Sequence, residues 1–248
     1  MRFAKSIAVL TAVVAAGLCV AAVEEAVTPS TTPTPVVVEL YTSQGCSSCP
    51  PADALLGELA KRADVVALSL HVDYWDYIGW KDPYASPTTT RRQRAYAHAM
   101  GQHMIYTPQM VIDGRAETVG SHEADVERLI AEAKAHPKLP IAFRRDPSGY
   151  YVELPAGENP SPAPATVWLV IYDKQRETPV DRGENAGANL VDYNVVREWR
   201  KIGSWDGMAM KIALDVSEDM EALHDGCAVI LQAGDVGPIL GAAAFKMR

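Results

Sequence analysis

Residues 39–53 read ELYTSQGCSSCPPAD, in which two serines separate Cys46 from Cys49. Residues 36–41, which overlap the start of this stretch, are largely apolar and β-branched, which predicts a buried strand. Two prolines follow Cys49, and leucines then recur at helical spacing, as expected when proline occupies the first turn of a helix. The Cys-x-x-Cys motif is therefore predicted to lie where a buried strand leads into a helix.

This position favours thiol chemistry. Unpaired N–H groups at a helix N-terminus stabilise a thiolate, so Cys46, just before the helix, is predicted to be the attacking thiol in disulfide exchange. Cys49, one turn inside the helix, is predicted to resolve the mixed disulfide, because it is close to Cys46 and shielded from other molecules. A disulfide that closes so short a loop stabilises little through loop entropy, which argues against a purely structural role.

A second motif lies at residues 106–114, which read YTPQMVIDG. Here Thr107 and Pro108 precede a strand that opens a hairpin at an Asp-Gly turn. A cis bond between Thr107 and Pro108 would direct the Thr107 backbone toward the cysteine pair, where an extended substrate could pair with it.

Hydrophobic periodicity outward from these motifs gives the order β-α-β-α-β-β-α, with Ser121 expected to cap the last helix. Past Pro140 strand signals dominate, and only residues 194–202 are compatible with a helix. The chain is therefore predicted to be α/β, with one domain at residues 36–138 and a mostly β, sandwich-like domain at residues 139–248.

The Cys-x-x-Cys motif, the Thr-Pro pair and this element order together resemble the thioredoxin fold. Residues 39–53, 71–80 and 106–114 are also similar to an uncharacterised family of exported bacterial proteins that carry a thioredoxin-like domain, known as a domain of unknown function. Residues 182–187, RGENAG, resemble the second domain of that family, so the resemblance covers nearly the whole chain after its N-terminal segment.

The resemblance implies a thiol–disulfide oxidoreductase that needs no bound cofactor. In that interpretation Cys46 is the nucleophile, Cys49 is the resolving thiol and Pro108 is the cis-proline, with Thr107 beside it. Thioredoxins also bury an acid near the first strand that moves protons for the resolving thiol, and Glu39 is the candidate for that role, with an exposed strand residue as the alternative. The two serines between the cysteines match neither the Gly-Pro of reductants nor the His-containing pair of oxidants, so the direction of electron flow stays open.

Composition and charge exclude several function classes. The 248 residues include 23 Lys and Arg against 31 Asp and Glu, a formal net charge of −8. This balance argues against a general nucleic-acid binder, which needs a basic face. A phosphate-binding loop, a dinucleotide fingerprint and a serine-hydrolase elbow are all missing from the sequence, which disfavours nucleotide enzymes and serine hydrolases. The expected partners are protein thiols and disulfides.

The N-terminus predicts export. Residues 1–22 contain two basic residues, an apolar run and then small residues, the order typical of a signal peptide. Residues 23–35, rich in proline and threonine, are predicted to be an extended linker. We therefore expect a periplasmic or secreted protein with no stable membrane insertion after cleavage, an uncleaved tether being the alternative. Of the cysteines left, Cys227 is expected to be a buried, inert thiol.

The sequence leaves two other functions open. His71 and Asp73, with the cysteines and nearby methionines, could hold copper(I), as in a periplasmic metal chaperone, although no metal-ligand spacing assigns a site. The chain could also be a non-catalytic binding module. Aromatic residues are concentrated in residues 74–84, where they could grip an extended substrate or pack on themselves. The candidates for the substrate-binding role are Tyr74, Trp75 and Trp80.

Overall fold

The computed structural model describes residues 34–147 and 149–247. The predicted signal peptide and residues 23–33 of the predicted linker lie outside the described residues. Strands and helices follow one another in this order: β1 (Val36–Thr42), α1 (Pro50–Leu59), β2 (Val65–His71), α2 (Pro87–Ala99), β3 (Gln109–Ile112), β4 (Ala116–Val119), α3 (Glu123–Lys134), β5 (Ala142–Asp146), β6 (Gly149–Leu154), β7 (Ala165–Pro179), β8 (Asn189–Trp205), β9 (Met210–Leu214), α4 (Glu218–Leu223), β10 (Gly226–Gln232) and β11 (Ile239–Lys246).

Eight of these strands form one mixed sheet in the order β11-β10-β7-β8-β2-β1-β3-β4. β1 runs parallel to β2 and antiparallel to β3, and β7 and β8 form a long antiparallel hairpin. β8 joins β2 through a parallel pairing of Val195 with Ser69, and Asn194 Nδ2 donates a hydrogen bond to Ala67 O at 2.8 Å. The protein is therefore a mixed α/β structure whose main sheet contains strands from both halves of the chain.

Helices cover the two faces of the sheet around β1, and alternate residues of β1 are buried on each face. Val38 and Leu40 belong to an apolar cluster that includes side chains of α1 and α3. Val37 and Tyr41 face the other way, in a cluster that contains Tyr96 of α2. Burial on both faces explains why this strand is an almost continuous apolar run rather than an alternating one.

A separate three-stranded sheet, in the order β5-β6-β9, packs against the outer part of the main sheet. Val152 and Leu154 of β6 share an apolar cluster with Val167 of β7 and Val229 of β10. The strands after Pro140 thus do not form an independent pair of sheets, because β7, β8, β10 and β11 extend the sheet that β1 to β4 begin. The main sheet contains strands from both sides of the predicted domain boundary at residues 138/139. That boundary stays a prediction.

Two local predictions are wrong. Residues 194–202 lie in β8, because β7 pairs with their backbone along its length, an interaction that local periodicity cannot report. Helix α3 begins at Glu123 with His122 as its N-cap, and His122 makes no side-chain capping bond, so Ser121 lies outside the helix. A turn bond from His122 N to Val119 O sets this later start. Among the helices in the described part of the chain, none has the length and apolar character to cross a membrane.

Candidate functional site

Cys46 and Cys49 form a disulfide with their Cα atoms 5.5 Å apart, and both residues are buried. Helix α1 begins at Pro50, so Cys49 is its N-cap residue and Cys46 lies in the preceding turn. The helix therefore begins about one turn later than predicted, and Cys49 caps it instead of lying one turn inside it. The reason is that Pro50 and Pro51 fill the first two helical positions, so the first helical N–H groups, those of Ala52 and Asp53, bond back to Cys49 O.

The two serines of the motif are exposed and contact different partners. Ser48 Oγ lies 3.3 Å from Cys46 Sγ, within hydrogen-bond distance for sulfur. Ser47 N and Ser47 Oγ both donate to Oε2 of Glu184, at 3.1 and 2.7 Å. A hydroxyl donor is thus already placed beside the sulfur that the sequence predicts to be the nucleophile.

The connection between β7 and β8, residues 180–188, lies against the cysteine motif, and we call it the cover loop. Asn185 Nδ2 donates to the backbone oxygens of Gln44 and Cys46, at 2.9 and 3.1 Å. Glu184 accepts the two bonds from Ser47, and these bonds lower the pKa of its carboxyl. The sequence resemblance at residues 182–187 therefore falls on a segment that contacts the site directly.

The second sequence motif also lies at the site. The bond between Thr107 and Pro108 is cis, and Trp75 Nε1 donates to Thr107 Oγ1 at 2.8 Å. Gly45 lies directly against Trp75, since a Cβ atom on Gly45 would be 3.0 Å from Trp75 Cβ. Trp75 therefore bridges the turn that carries Cys46 and the Thr107–Pro108 bond.

The other two aromatic candidates have different surroundings. Trp80 Nε1 donates to Gln44 Oε1 at 3.1 Å, and Trp80 Cβ lies close to Gly183 of the cover loop. Tyr74 packs against Trp75, with ring centroids 6.4 Å apart, and burial raises the pKa of its hydroxyl to about 12. The structure thus brings Trp75 and Trp80 to the cysteine turn, whereas Tyr74 packs beside Trp75 against an apolar cluster.

Glu39, the candidate proton-transferring acid, is fully buried on β1. Arg92 Nε and Nη2 donate to its two carboxylate oxygens at 2.7 and 2.9 Å, and the hydroxyls of Tyr41 and Tyr96 donate to the same carboxylate. Within the described residues, none of its hydrogen bonds involves a cysteine. Its bonds instead connect β1 to α2.

A group of buried polar side chains, which we call the polar cluster, lies around the cysteine motif. Of its members, the sequence analysis singles out only His71, as a metal-site candidate. Gln44 connects it to the cysteine turn: its N–H donates to Asp82 at 2.8 Å, and its Nε2 donates to Asp192 at 2.7 Å. His71 Nδ1 lies 2.7 Å from Asp82 Oδ2, and His71 Nε2 lies 3.8 Å from Asp192 Oδ1. The members are Gln44, Asp53, His71, Asp82 and Asp192.

The polar cluster has an unusual charge distribution. Burial raises the pKa of Asp53 to about 8, and the charge of Asp192 adds to this shift. Burial likewise raises the pKa of Asp192. Burial alone would lower the pKa of His71 and raise that of Asp82, but their mutual attraction is stronger, so the pKa of His71 rises to about 9 and that of Asp82 falls. At neutral pH the cluster therefore contains a protonated Asp53 beside a His71–Asp82 ion pair.

A sequence signal for part of the cluster was available. Asp53 lies four residues after Cys49 on α1, so one helical turn separates them. His71 follows the apolar residues of β2 directly. No sequence pattern links Asp192 to the cysteine motif, because Asp192 lies on β8, 148 residues after Gln44, to which it bonds.

The residues considered for a metal site have other partners. His71 pairs with Asp82, and Asp73 accepts a hydrogen bond from Thr90 Oγ1 at 2.5 Å. In residues 34–147 and 149–247, no group of three or more His, Cys, Asp or Glu side chains has a metal-binding arrangement. Cys227 lies buried in β10, as expected, and burial raises the pKa of its thiol well above the ordinary value.

Fold and site together define a mixed α/β protein with a large sheet and a buried Cys-x-x-Cys disulfide. The chain belongs to a family described as Protein of unknown function (DUF1223), whose profile matches residues 37–232. This confirms the resemblance to an uncharacterised family.

Two solved structures are similar to the chain. One, a protein from Agrobacterium tumefaciens determined by X-ray crystallography as a structural genomics target, is 32% identical, with a TM-score of 0.76 over 88% of this chain and 97% of that one. The other, HBP35 of Porphyromonas gingivalis, has a TM-score of 0.56 and 12% identity, over 86% of this chain and 74% of that one. At that identity the similarity concerns the fold alone. No curated protein matches the chain.

Proposed function

We propose that the protein is a thiol–disulfide oxidoreductase that acts through Cys46 and Cys49 in a thioredoxin-like domain. The observation that carries this proposal is the meeting of a Cys-x-x-Cys disulfide at the start of α1 with the cis Thr107–Pro108 bond, joined through Trp75. The order β1-α1-β2-α2-β3-β4-α3 is consistent with it. Such a pair stores two electrons and exchanges them with other disulfides.

The reaction requires two successive exchanges. When the pair is reduced, the Cys46 thiolate attacks one sulfur of a substrate disulfide, whose S–S bond breaks, and the departing substrate sulfur takes up a proton. The Cys49 thiol then loses its proton and attacks Cys46 Sγ. The mixed disulfide breaks, the substrate leaves as a dithiol and the protein is left oxidised. The reverse sequence oxidises a substrate dithiol, and the partner redox couple decides the direction.

Asp53 is the acid best placed to exchange a proton with Cys49 in this scheme. It lies one helical turn from Cys49 on α1 and is buried, and its carboxyl is held protonated near neutral pH. As the pair is reduced, a protonated acid can supply a proton to the Cys49 sulfur; as the pair is oxidised, the carboxylate can take it back. Glu39 is less suited to this role, because its carboxylate is held by Arg92.

The substrate side of the site is proposed to include Trp75, Trp80 and the Thr107 backbone. Trp75 and Trp80 are only partly buried, and both contact the turn that precedes Cys46. Tyr77, in the same segment, is 81% exposed, which adds an apolar surface. A protein thiol or disulfide in an extended segment is the substrate class that fits such a rim. A signal peptide at residues 1–22 would place this activity in the periplasm or outside the cell.

Trapping of mixed disulfides tests the proposal. The Cys49→Ser variant should accumulate a covalent adduct with a peptide that contains one disulfide, because Cys46 can attack but nothing resolves the product. The Cys46→Ser variant should accumulate none. Cys227→Ala serves as the control, because this thiol is buried and should have no effect on turnover. Equal adduct formation in both active-site variants would contradict the assignment of Cys46 as nucleophile.

A further inference from the structure

We propose that Glu184 is a positioning residue that restrains Cys46: its carboxylate takes the N–H group next to Cys46 and disfavours the Cys46 thiolate, which makes the disulfide harder to reduce. This inference rests on the proposed function, since it concerns the reactivity of the same cysteine pair.

Few backbone donors around Cys46 are free of hydrogen-bond partners. A helix normally offers several free N–H groups at its N-terminus, and these stabilise an anion there. In this chain Pro50 and Pro51 have no N–H, and the N–H groups of Ala52 and Asp53 bond to Cys49 O. The N–H of Cys49 bonds to Cys46 O. These backbone groups are therefore not free to stabilise an anion on the Cys46 sulfur.

Glu184 takes up a further backbone donor. The N–H of Ser47, the residue directly after Cys46, donates to Glu184 Oε2 at 3.1 Å, and the Ser47 hydroxyl donates to the same oxygen at 2.7 Å. A donor used by a carboxylate is not available to a thiolate. The Ser48 hydroxyl, 3.3 Å from Cys46 Sγ, is a side-chain donor that remains available to the sulfur.

Charge acts in the same direction. The two bonds from Ser47 lower the pKa of Glu184, so its carboxylate is ionised at neutral pH. A negative charge beside a thiol opposes formation of a second negative charge on the sulfur. At pH values where reduced Cys46 is a thiolate, destabilising that thiolate destabilises the reduced form, and the equilibrium with an external thiol then shifts toward the disulfide.

The cover loop holds Glu184 in this position. Asn185, the next residue, donates to the backbone oxygens of Gln44 and Cys46. The loop turns at Gly183, where φ is +80° and where a Cβ atom would lie 3.2 Å from Trp80 Cβ, so this position favours glycine on two counts. Cys46 is only 1% exposed with the loop in place. Displacing the loop would therefore break the Asn185 bonds to the cysteine turn and remove the carboxylate from Ser47.

The test compares Glu184→Gln with Asp181→Asn, which removes one exposed acid from the same loop and serves as a charge-matched control. Glutamine keeps an oxygen acceptor for Ser47 and removes only the charge. In Glu184→Gln the equilibrium constant for forming the disulfide against glutathione should fall about two- to fivefold, the size typical of an exposed charge interaction. Asp181→Asn should leave it unchanged.

A second measurement tests Glu184 without relying on disulfide exchange with glutathione. In a chain that keeps Cys46 as its one cysteine, the rate of alkylation by iodoacetamide against pH gives the pKa of the Cys46 thiol. Glu184→Gln should lower that pKa relative to Asp181→Asn. Equal values in the two variants, by both measurements, would overturn the inference. If the unsubstituted pair fails to equilibrate with glutathione, the proposed function is wrong, and the alkylation profile still decides the role of Glu184.

Discussion

The guanidinium of Arg92, on α2, donates two hydrogen bonds to the buried carboxylate of Glu39, on β1, at 2.7 and 2.9 Å. The same guanidinium lies 3.9 Å from the ring centroid of Trp199 and donates to Asp235 O at 3.0 Å. Gln232 Oε1 accepts a further bond from it at 3.0 Å. One buried cation therefore connects the central strands to β8 and to the end of β10.

Removing that cation should destabilise the protein strongly. Arg92→Met leaves the Glu39 carboxylate buried without its partner, so the free energy of unfolding in urea should fall by about 3–5 kcal/mol. The control is Arg91→Met, which removes an exposed arginine from the same helix. A loss below about 1 kcal/mol in Arg92→Met would contradict this account of the pair.

Glu39 and Asp53 should differ in their effect on chemistry. Glu39→Gln removes a buried charge that Arg92 compensates, so it should lower stability and leave the pH dependence of disulfide exchange with glutathione in place. Asp53→Asn removes the buried acid one helical turn from Cys49 and should flatten that pH dependence near the pKa of about 8 that burial gives Asp53. If the pH dependence of exchange is flattened in Glu39→Gln and unchanged in Asp53→Asn, then Glu39 is the proton-transferring acid and the assignment of Asp53 is wrong.

Asp53 should also make stability depend on pH. Its pKa is about 8 in the folded protein and about 3.9 in an unfolded chain, so between these values the folded state holds a proton that the unfolded state has released. The stabilisation from this proton is complete below about pH 4 and is lost as pH rises through about 8. The difference in unfolding free energy between pH 5 and pH 8 should therefore be at least about 1 kcal/mol smaller in Asp53→Asn.

Glu58→Gln is the matched control for that measurement, because Glu58 is an exposed acid on the same helix. His71, whose pKa rises to about 9, acts in the same direction and stabilises the fold less as pH rises through that value. This contribution should persist in both variants. A pH dependence in Asp53→Asn equal to that of the unsubstituted protein would show that Asp53 is ionised in the folded state.

Ser48 should stabilise the Cys46 thiolate. Its hydroxyl lies 3.3 Å from Cys46 Sγ and can donate to an anionic sulfur. Ser48→Ala should therefore raise the thiol pKa of reduced Cys46, measured by alkylation against pH, by about half a unit to one unit. Ser47→Ala is the informative comparison, because the Ser47 hydroxyl bonds to Glu184 instead. A lower pKa in Ser48→Ala would contradict the assigned donor.

Packing of α1 against β8 gives a stability prediction. Gly57 of α1 lies against Tyr193 of β8, and a Cβ atom at Gly57 would be 2.6 Å from the tyrosine ring. Alanine favours an isolated helix over glycine by about 1 kcal/mol, but here overpacking should win, and Gly57→Ala should destabilise by about 1–3 kcal/mol. Adding Tyr193→Ala should remove the clash, so the double variant should not show the sum of the two single losses. Additive losses would contradict this contact.

The parts of the site that were predictable lie close together in the chain. Cys46, Cys49, Thr107 and Pro108 belong to short motifs whose neighbours set the local structure, and Trp75 contacts both the cysteine turn and Thr107. Asn185 and Asp192 reach that site only because β7 and β8 join β2 in one sheet, and residue periodicity carries no information about such distant pairing.

The same limit applies to residues 194–202 and to Glu39. Residues 194–202 are compatible with a helix in isolation, yet β7 pairs with their backbone and makes them part of a strand. The role of Glu39 stays a prediction, but its hydrogen-bond partner Arg92 is 53 residues further along the chain, where local sequence gives no sign of it. Such tertiary contacts are not encoded in local residue patterns.

The most direct test of the central claim is the reduction potential of the Cys46–Cys49 pair, measured by equilibration with glutathione after metals have been chelated. The account predicts a value between about −120 and −270 mV, the range of pairs that exchange with protein thiols. A value above about −200 mV would place the protein among disulfide donors, and one near about −270 mV among reductants. A value far below about −300 mV would identify a structural disulfide and contradict the proposed function.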